Sequence, residues 1–309
     1  MMQDDNATSG RPASSSDDGG RVGLGWRLAL GTLTVIVGLT LAGLAGQGVE
    51  RWFDDPPALA VQTVQALVMS LIVIPLICLL RLRADRRALS GIGFGRPASA
   101  AGFFLLGFGI VFSVVLIPVL VLALTDWATV SVNITASLLW TMLAWLLVAL
   151  LFEAFPEEIA IRGYLYRNLN AVLARWLAAL ASIGLFLIIP IGVALLGYLP
   201  GIPFAAFAGS GSLSIDYLLT IALFGAVLIY LRVITGSVWT CVGFHLGFLQ
   251  LGRGTWVGDD QQSLFQIEAA QAAQVDLIFQ LTGLVVLLAV LIVPWLVGCK
   301  PGWRERGAG

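Results

Sequence analysis

Apolar positions run along this chain in long uninterrupted stretches, broken by short polar and charged segments. Eight such stretches fall at about 26–46, 58–80, 101–125, 136–156, 176–199, 216–232, 237–252 and 277–298. Most approach the roughly 20 residues that a helix needs to cross a bilayer. The pattern predicts an all-α, polytopic membrane helix bundle of eight transmembrane helices with both termini cytoplasmic. Pro190, Pro200, Pro203 and several glycines interrupt the fifth to seventh stretches and blur their limits. Residues 1–25 are rich in Ser, Gly and Asp and bury too little apolar surface to offset ordering entropy, so a disordered tail is expected there. The four aspartates ahead of Trp26 argue for a first transmembrane helix rather than a signal peptide. The division expected is therefore a tail at 1–25, the bundle at 26–299 and a short tail at 300–309.

Composition sharpens this picture. Of 309 residues, 59% are hydrophobic and 11% charged, which excludes a soluble enzyme or a disordered chain. A net charge of −1 leaves no electrostatic footprint for nucleic acid. Cys78, Cys241 and Cys299 are far apart and lack CxxC spacing, so no disulfide framework is expected. With eight spans and an inner N-terminus, 15 of the 17 basic residues fall on the cytoplasmic side, and only Arg51 and Arg253 fall outside. The outer loops instead receive Glu50, Asp54, Asp55, Asp126, Asp259, Asp260 and Glu268. So lopsided a bias supports both the orientation and the span count, because one missed helix would scramble it. The expected location is an integral, multi-pass position in a bacterial plasma membrane.

Ionisable side chains at membrane depth are costly and mark functional sites by default. They concentrate at the end of the fourth stretch, LLVALLFEAFPEEIAIRGYLYRNLN, which holds Glu153, Glu157, Glu158 and Arg162. Glu153 and Glu157 are four apart, as are Glu158 and Arg162, so each pair shares a helical face. Glu157 and Glu158 lie about 100° apart, which lets one meet Arg162 while the other faces a cavity. Pro156 removes a backbone donor and is expected to kink the helix. Two readings stand at this point: a solvated helix end, or a carboxylate in a wet pocket able to deprotonate water. The single histidine, His245, lies in the seventh stretch, where a packed core role competes with a catalytic one. Gln250 and Arg253 follow it at the outer end.

The run EEIAIRGYLYRNL, from Glu157 to Leu169, resembles the first motif, EExxxR, of the CAAX-protease and bacteriocin-processing membrane proteins. The stretch Thr235-Gly236-Ser237-Val238-Trp239, leading to His245, resembles that family's last motif. SGIGFGRP, ahead of the third stretch, is similar to the loop that precedes a core helix in the family. The resemblance covers about residues 90–255. It implies an eight-helix membrane bundle with an active site open to the cytosol. It also implies an intramembrane endopeptidase in which Glu157 activates water, Glu158 and Arg162 support the site, and His245 holds the oxyanion or leaving group.

The departures are equally specific. Pro190 stands where the family's FxxxH motif has its histidine, after a matching Phe186, and Leu249 stands where HxxxN has its asparagine. Loss of members from a unit that acts together costs orders of magnitude in rate. A weakened or lost activity is thus one expectation, and a non-catalytic immunity or scaffold protein on the same fold is its alternative. A carboxylate-based transporter using Glu153, Glu157 and Glu158 is a third. No cofactor is fixed by the residues, and a divalent metal such as zinc stays open. The partners expected are membrane lipid and a peptide or prenylated-protein substrate, with no nucleic acid and oligomeric state undetermined.

Overall fold

The computed structural model describes residues 23–125, 127–198, 213–254, 256–257, 263–269, 272–299 and 302–305. Most of the expected N-terminal tail, Asp126, Asp259, Asp260, Pro200 and Pro203 lie outside these residues. The chain forms α1 (Leu24–Trp52), α2 (Ala58–Leu79), α3 (Pro97–Thr125), a composite α4 (Ala136–Asn170), α5 (Arg175–Leu196), α6 (Ile215–Thr235), α7 (Val238–Gly252) and α8 (Ala272–Leu296). The protein is a polytopic helical bundle. Seven of these helices are long and apolar enough to cross a membrane.

The seventh, α7, is the exception. Its 15 residues span only about 22 Å, short of a hydrocarbon core of about 30 Å. The stretch at 237–252, expected as a span, is the shorter apolar helix of the eight. Beyond it the chain folds back: Trp256 is buried edge-on against Phe108 and Phe112 of α3. A two-stranded antiparallel ribbon, β1 (Thr129–Val132) with β2 (Phe265–Glu268), then joins the α3–α4 and α7–α8 connections. The fourth stretch differs in the opposite sense. Its apolar run ends at 156, but the helix continues to Asn170, because the charges beyond Pro156 find partners inside the bundle.

Side-chain contacts show which helix ends lie together. At one end, the Asp85 carboxylate, fully buried just after α2, meets Arg81 (3.3 Å), Arg27 of α1 (3.5 Å), and Tyr164 (3.2 Å) and Asn168 (3.0 Å) of α4. At the same end Val238 N–H donates to Gly93 C=O, and the Arg175 N–H at the start of α5 donates to Glu305 C=O. At the other end lie the β-ribbon and the Arg253–Gln62 hydrogen bond. The alternation expected from the charge pattern is thus present. Exposed aromatics mark both ends, Trp26 and Trp295 at one and Trp52, Trp127 and Trp140 at the other, as membrane interfaces favour.

Lipid tails are as apolar as leucine, so burial of apolar surface does little to drive helices together in a bilayer; close packing and polar contacts do that instead. A methyl group on Gly107 of α3 would meet Thr240 C=O of α7 at 2.0 Å, and one on Gly243 of α7 would meet Phe104 C=O at 2.0 Å. Backbone therefore runs against backbone along α3 and α7. In α1, Gly31 admits Tyr164 and Leu165, Gly38 admits Val73, and Gly46 admits Gln65. The core these contacts enclose includes Val35, Val73, Ile77, Ile161, Leu165 and Val242.

Candidate functional site

The helix that carries the acidic run is not a plain α-helix. It widens into π-helical turns at Leu150–Ala154 and at Ile159–Leu165, with four α-helical residues, Phe155–Glu158, between them. Such turns re-aim side chains and are frequent at functional sites. The first one ends two residues before Pro156, where the ring and the missing N–H would disrupt a regular α-helix. The Leu151 carbonyl in that turn accepts a hydrogen bond from the Ser70 hydroxyl of α2. Pro156 is therefore met by a widened turn that prepares the helix for it.

Glu158 is completely buried and accepts two hydrogen bonds on one oxygen. Arg162 Nη1 lies 2.9 Å from Oε1, and His245 Nδ1 of α7 lies 2.9 Å from the same atom. The spacing of four residues explains the first contact. The second joins positions 87 residues apart. A carboxylate held on Nδ1 fixes the imidazole's orientation and leaves Nε2 as the nitrogen available for chemistry. Glu158 Oε2 and Arg162 Nε are buried with no protein hydrogen-bond partner. Orphaned polar atoms of this kind are rare in packed structure and call for an explanation.

Arg162 is also fixed from its other faces. Its guanidinium lies 4.4 Å from the Phe186 ring centroid, a cation–π contact. A Cβ on Gly225 of α6 would come within 3.0 Å of the same Phe186 ring, so a small residue here leaves that ring its place. Phe186 in turn packs against Phe224, whose ring meets His245 edge-on at 4.9 Å. The FxxxH-like segment thus contributes its phenylalanine to the site. Pro190, one turn further along α5, is half-buried, and Leu249 packs against the apolar core.

Glu157 is the more exposed of the acidic pair, at 9%. It lies within electrostatic reach of His245, Glu153, Glu158 and Arg162. Glu153 lies within reach of both His245 and Arg253. The four residues singled out in the sequence, Glu157, Glu158, Arg162 and His245, therefore stand together, with Glu153 one turn outward. Arg253, just past the end of α7, donates from Nη2 to Gln62 Oε1 at 3.0 Å and sits 4.6 Å over the Trp145 ring. Burial pushes its guanidinium pKa down, and Glu153 pushes it back up.

The sequence motifs also acquire local reasons. Gly236 adopts φ 68° and ends α6 through its N–H to Arg232 C=O. Ser237 then caps α7 by accepting from Trp239 N–H. The segment 88–95, which ends in SGIGFG, is clamped from three sides. Trp239 Nε1 donates to Phe94 C=O, Arg232 Nη2 donates to Ile92 C=O, and Arg81 Nε donates to Ala88 C=O. Gly93, at φ 108°, leaves no room for a side chain beside Arg232. Arg232 Nε also donates to Arg162 C=O at 3.1 Å, tying the loop to the site helix. Nothing in the sequence pointed to Arg232, whose partners lie on other elements; Asp85 carried one signal, the spacing of four from Arg81, while its other partners lie on α1 and α4.

The donor set does not fit a divalent metal. Among the described residues no three His, Cys, Asp or Glu side chains converge as ligands, and His245 Nδ1 and Glu158 are engaged with each other. What the cluster offers is a buried carboxylate–imidazole pair, an immobilised guanidinium and a second, less buried carboxylate beside them. These are the elements of general acid–base chemistry on a bound water.

Residues 138–248 match the family model described as Rce1-like, type II CAAX prenyl endopeptidase. The matched segment runs from α4 through α7 and includes Glu157, Glu158, Arg162 and His245. No curated protein matches the chain.

Proposed function

We propose that this multi-pass membrane protein, which carries the Rce1-like segment of the CAAX prenyl endopeptidases, is an intramembrane endopeptidase that hydrolyses a peptide bond near the cytosolic face of the membrane. The observation that carries this reading is the Glu158–His245 hydrogen bond at 2.9 Å with Arg162 on the same carboxylate oxygen. A carboxylate that orients an imidazole beside a second carboxylate suits an orienter, an oxyanion donor and a water-activating base.

In this mechanism Glu157 takes a proton from a water held between it and the scissile carbonyl, and the resulting hydroxide attacks the carbonyl carbon. His245, held through Nδ1–H by Glu158 and protonated on both ring nitrogens, donates Nε2–H to the developing oxyanion. The proton held by Glu157 then passes to the leaving amine as the C–N bond breaks. Arg162 holds Glu158 in place through its hydrogen bond, and the Phe186 ring packs against Arg162. The substrate class follows the family match: a protein C-terminus bearing a prenylated cysteine, its lipid in the bilayer. The test is to reconstitute the protein in lipid nanodiscs and identify by mass spectrometry the products formed from a farnesylated peptide and its unmodified counterpart. A new C-terminus at the farnesylcysteine is expected. Recovery of both peptides intact would refute the reading.

A second reading, a non-catalytic protein on the same fold, is favoured by Pro190 and Leu249. In it the Glu158–Arg162–His245 cluster only holds helices together. Under that reading Glu157→Gln leaves every cellular function intact, whereas the endopeptidase loses its own.

A further inference from the structure

Arg253 lies outside the matched segment and takes no part in the steps above. It is half-buried, and it is held from two helices by neutral partners, Gln62 of α2 and the Trp145 ring of α4. Among the described residues no carboxylate forms a salt bridge with it. Only Nη2 is engaged by Gln62. Among the described residues nothing else hydrogen-bonds the planar fork, whose shape suits bidentate carboxylate recognition. A guanidinium fixed in this way by uncharged groups has lost rotamer freedom beforehand, which lowers the cost of binding an anion.

Its position relative to the candidate site is specific. Eight residues of α7 separate His245 from Arg253, about 12 Å along the axis. Glu153, on the facing helix, lies within electrostatic reach of both. Three residues of extended peptide span about 10 Å. A peptide whose scissile carbonyl sits at Glu157 and His245, and which continues outward for three residues, would end beside Arg253. An anion at that depth needs a paired cation.

We infer that Arg253 is a binding residue for the C-terminal carboxylate of the substrate, about three extended residues along from Glu157 and His245. The inference rests on the endopeptidase reading for the identity of the peptide. The geometry that supports it, a preorganised guanidinium three residues from the site, is independent of turnover. Glu153 repels a carboxylate that stops short and leaves Arg253 as the nearest favourable partner. The site would therefore measure the distance from the scissile bond to the chain end.

The test is binding, read in the Glu157→Gln background so that no cleavage intervenes. The protein is held in nanodiscs of neutral phosphatidylcholine. The probe is a fluorescent peptide with its farnesylcysteine fourth from the C-terminus, as free acid and as C-terminal amide. The acid is expected to bind at least about 10-fold more tightly than the amide, the range of a charge-assisted hydrogen bond. Arg253→Gln is expected to bring acid and amide within about 2-fold of each other, and Arg253→Lys to keep part of the preference. Equal binding of acid and amide to the Arg253 protein would overturn the proposal. So would an acid preference that survives Arg253→Gln. Adding phosphatidylglycerol is expected to leave the acid preference in place; its abolition would make Arg253 a site for lipid headgroups and overturn the peptide assignment. If the acid preference is found but Glu157-containing protein cleaves nothing, the endopeptidase reading fails and the carboxylate site stands.

Discussion

At the scale of single residues, the account turns on Glu158. It is fully buried and shared by a guanidinium and an imidazole, so its removal leaves Arg162 as an uncompensated buried charge. Breaking a buried pair in this way costs about 3–5 kcal/mol. Glu158→Gln should therefore lower the thermal stability of the purified protein as well as its cleavage rate, checked by a melting curve alongside the assay. Glu157, which forms no salt bridge among the described residues, should behave differently when changed to Gln, losing cleavage at an unchanged melting temperature. The sequence made the Glu158–Arg162 contact legible through its spacing of four. It did not reveal the partner of His245, since an apolar α7 offers nothing by which to guess the helix it faces. Arg253 was visible as an outer-end charge, but its approach to Gln62 and Trp145 depends on three helices meeting.

At the scale of elements, the spans were legible because the bilayer imposes a length on apolar runs. α7 is where that rule fails. Its residues are apolar enough to read as a span, yet its outer end is covered by α3, Trp256 and the β-ribbon rather than by water, so a short helix suffices. The π-turns of α4 could not be read either, since no side-chain pattern distinguishes them from α-helix. The close α3–α7 approach gives a sharp prediction. Gly107→Ala or Gly243→Ala places a methyl group within 2.0 Å of a carbonyl oxygen, and only a backbone shift can relieve that. Overpacking of this kind costs typically 1–3 kcal/mol. Gly48→Ala, in α1 with nothing within 4 Å, should leave stability unchanged or slightly raised. Melting of the three variants in one detergent decides the point.

At the scale of the whole molecule, the arginine distribution and the contacts between helix ends agree. The Asp85 cluster ties α1, α2 and α4 at the end where nearly all the arginines lie, one to two turns beyond Arg162. Asp85→Asn removes the charge that two buried or half-buried arginines share, and should lower the melting temperature by several degrees. Asp54→Asn, on an exposed turn at the other end, should not. The expected orientation adds that a fluorescent protein fused at the C-terminus matures in the cytosol, while alkaline phosphatase fused there stays inactive. The opposite pair of results would invert the topology and place the site on the outer side.

The claim at the centre of this account is that Glu157 activates the water that cuts a peptide bond. Its most direct measurement is the cleavage rate of a farnesylated peptide by wild type and Glu157→Gln in the same nanodiscs, with both proteins shown to melt at the same temperature. The account predicts a wild-type rate at least about 100-fold above that of the variant, the usual scale of a general base. A variant that cleaves as fast as wild type would contradict it.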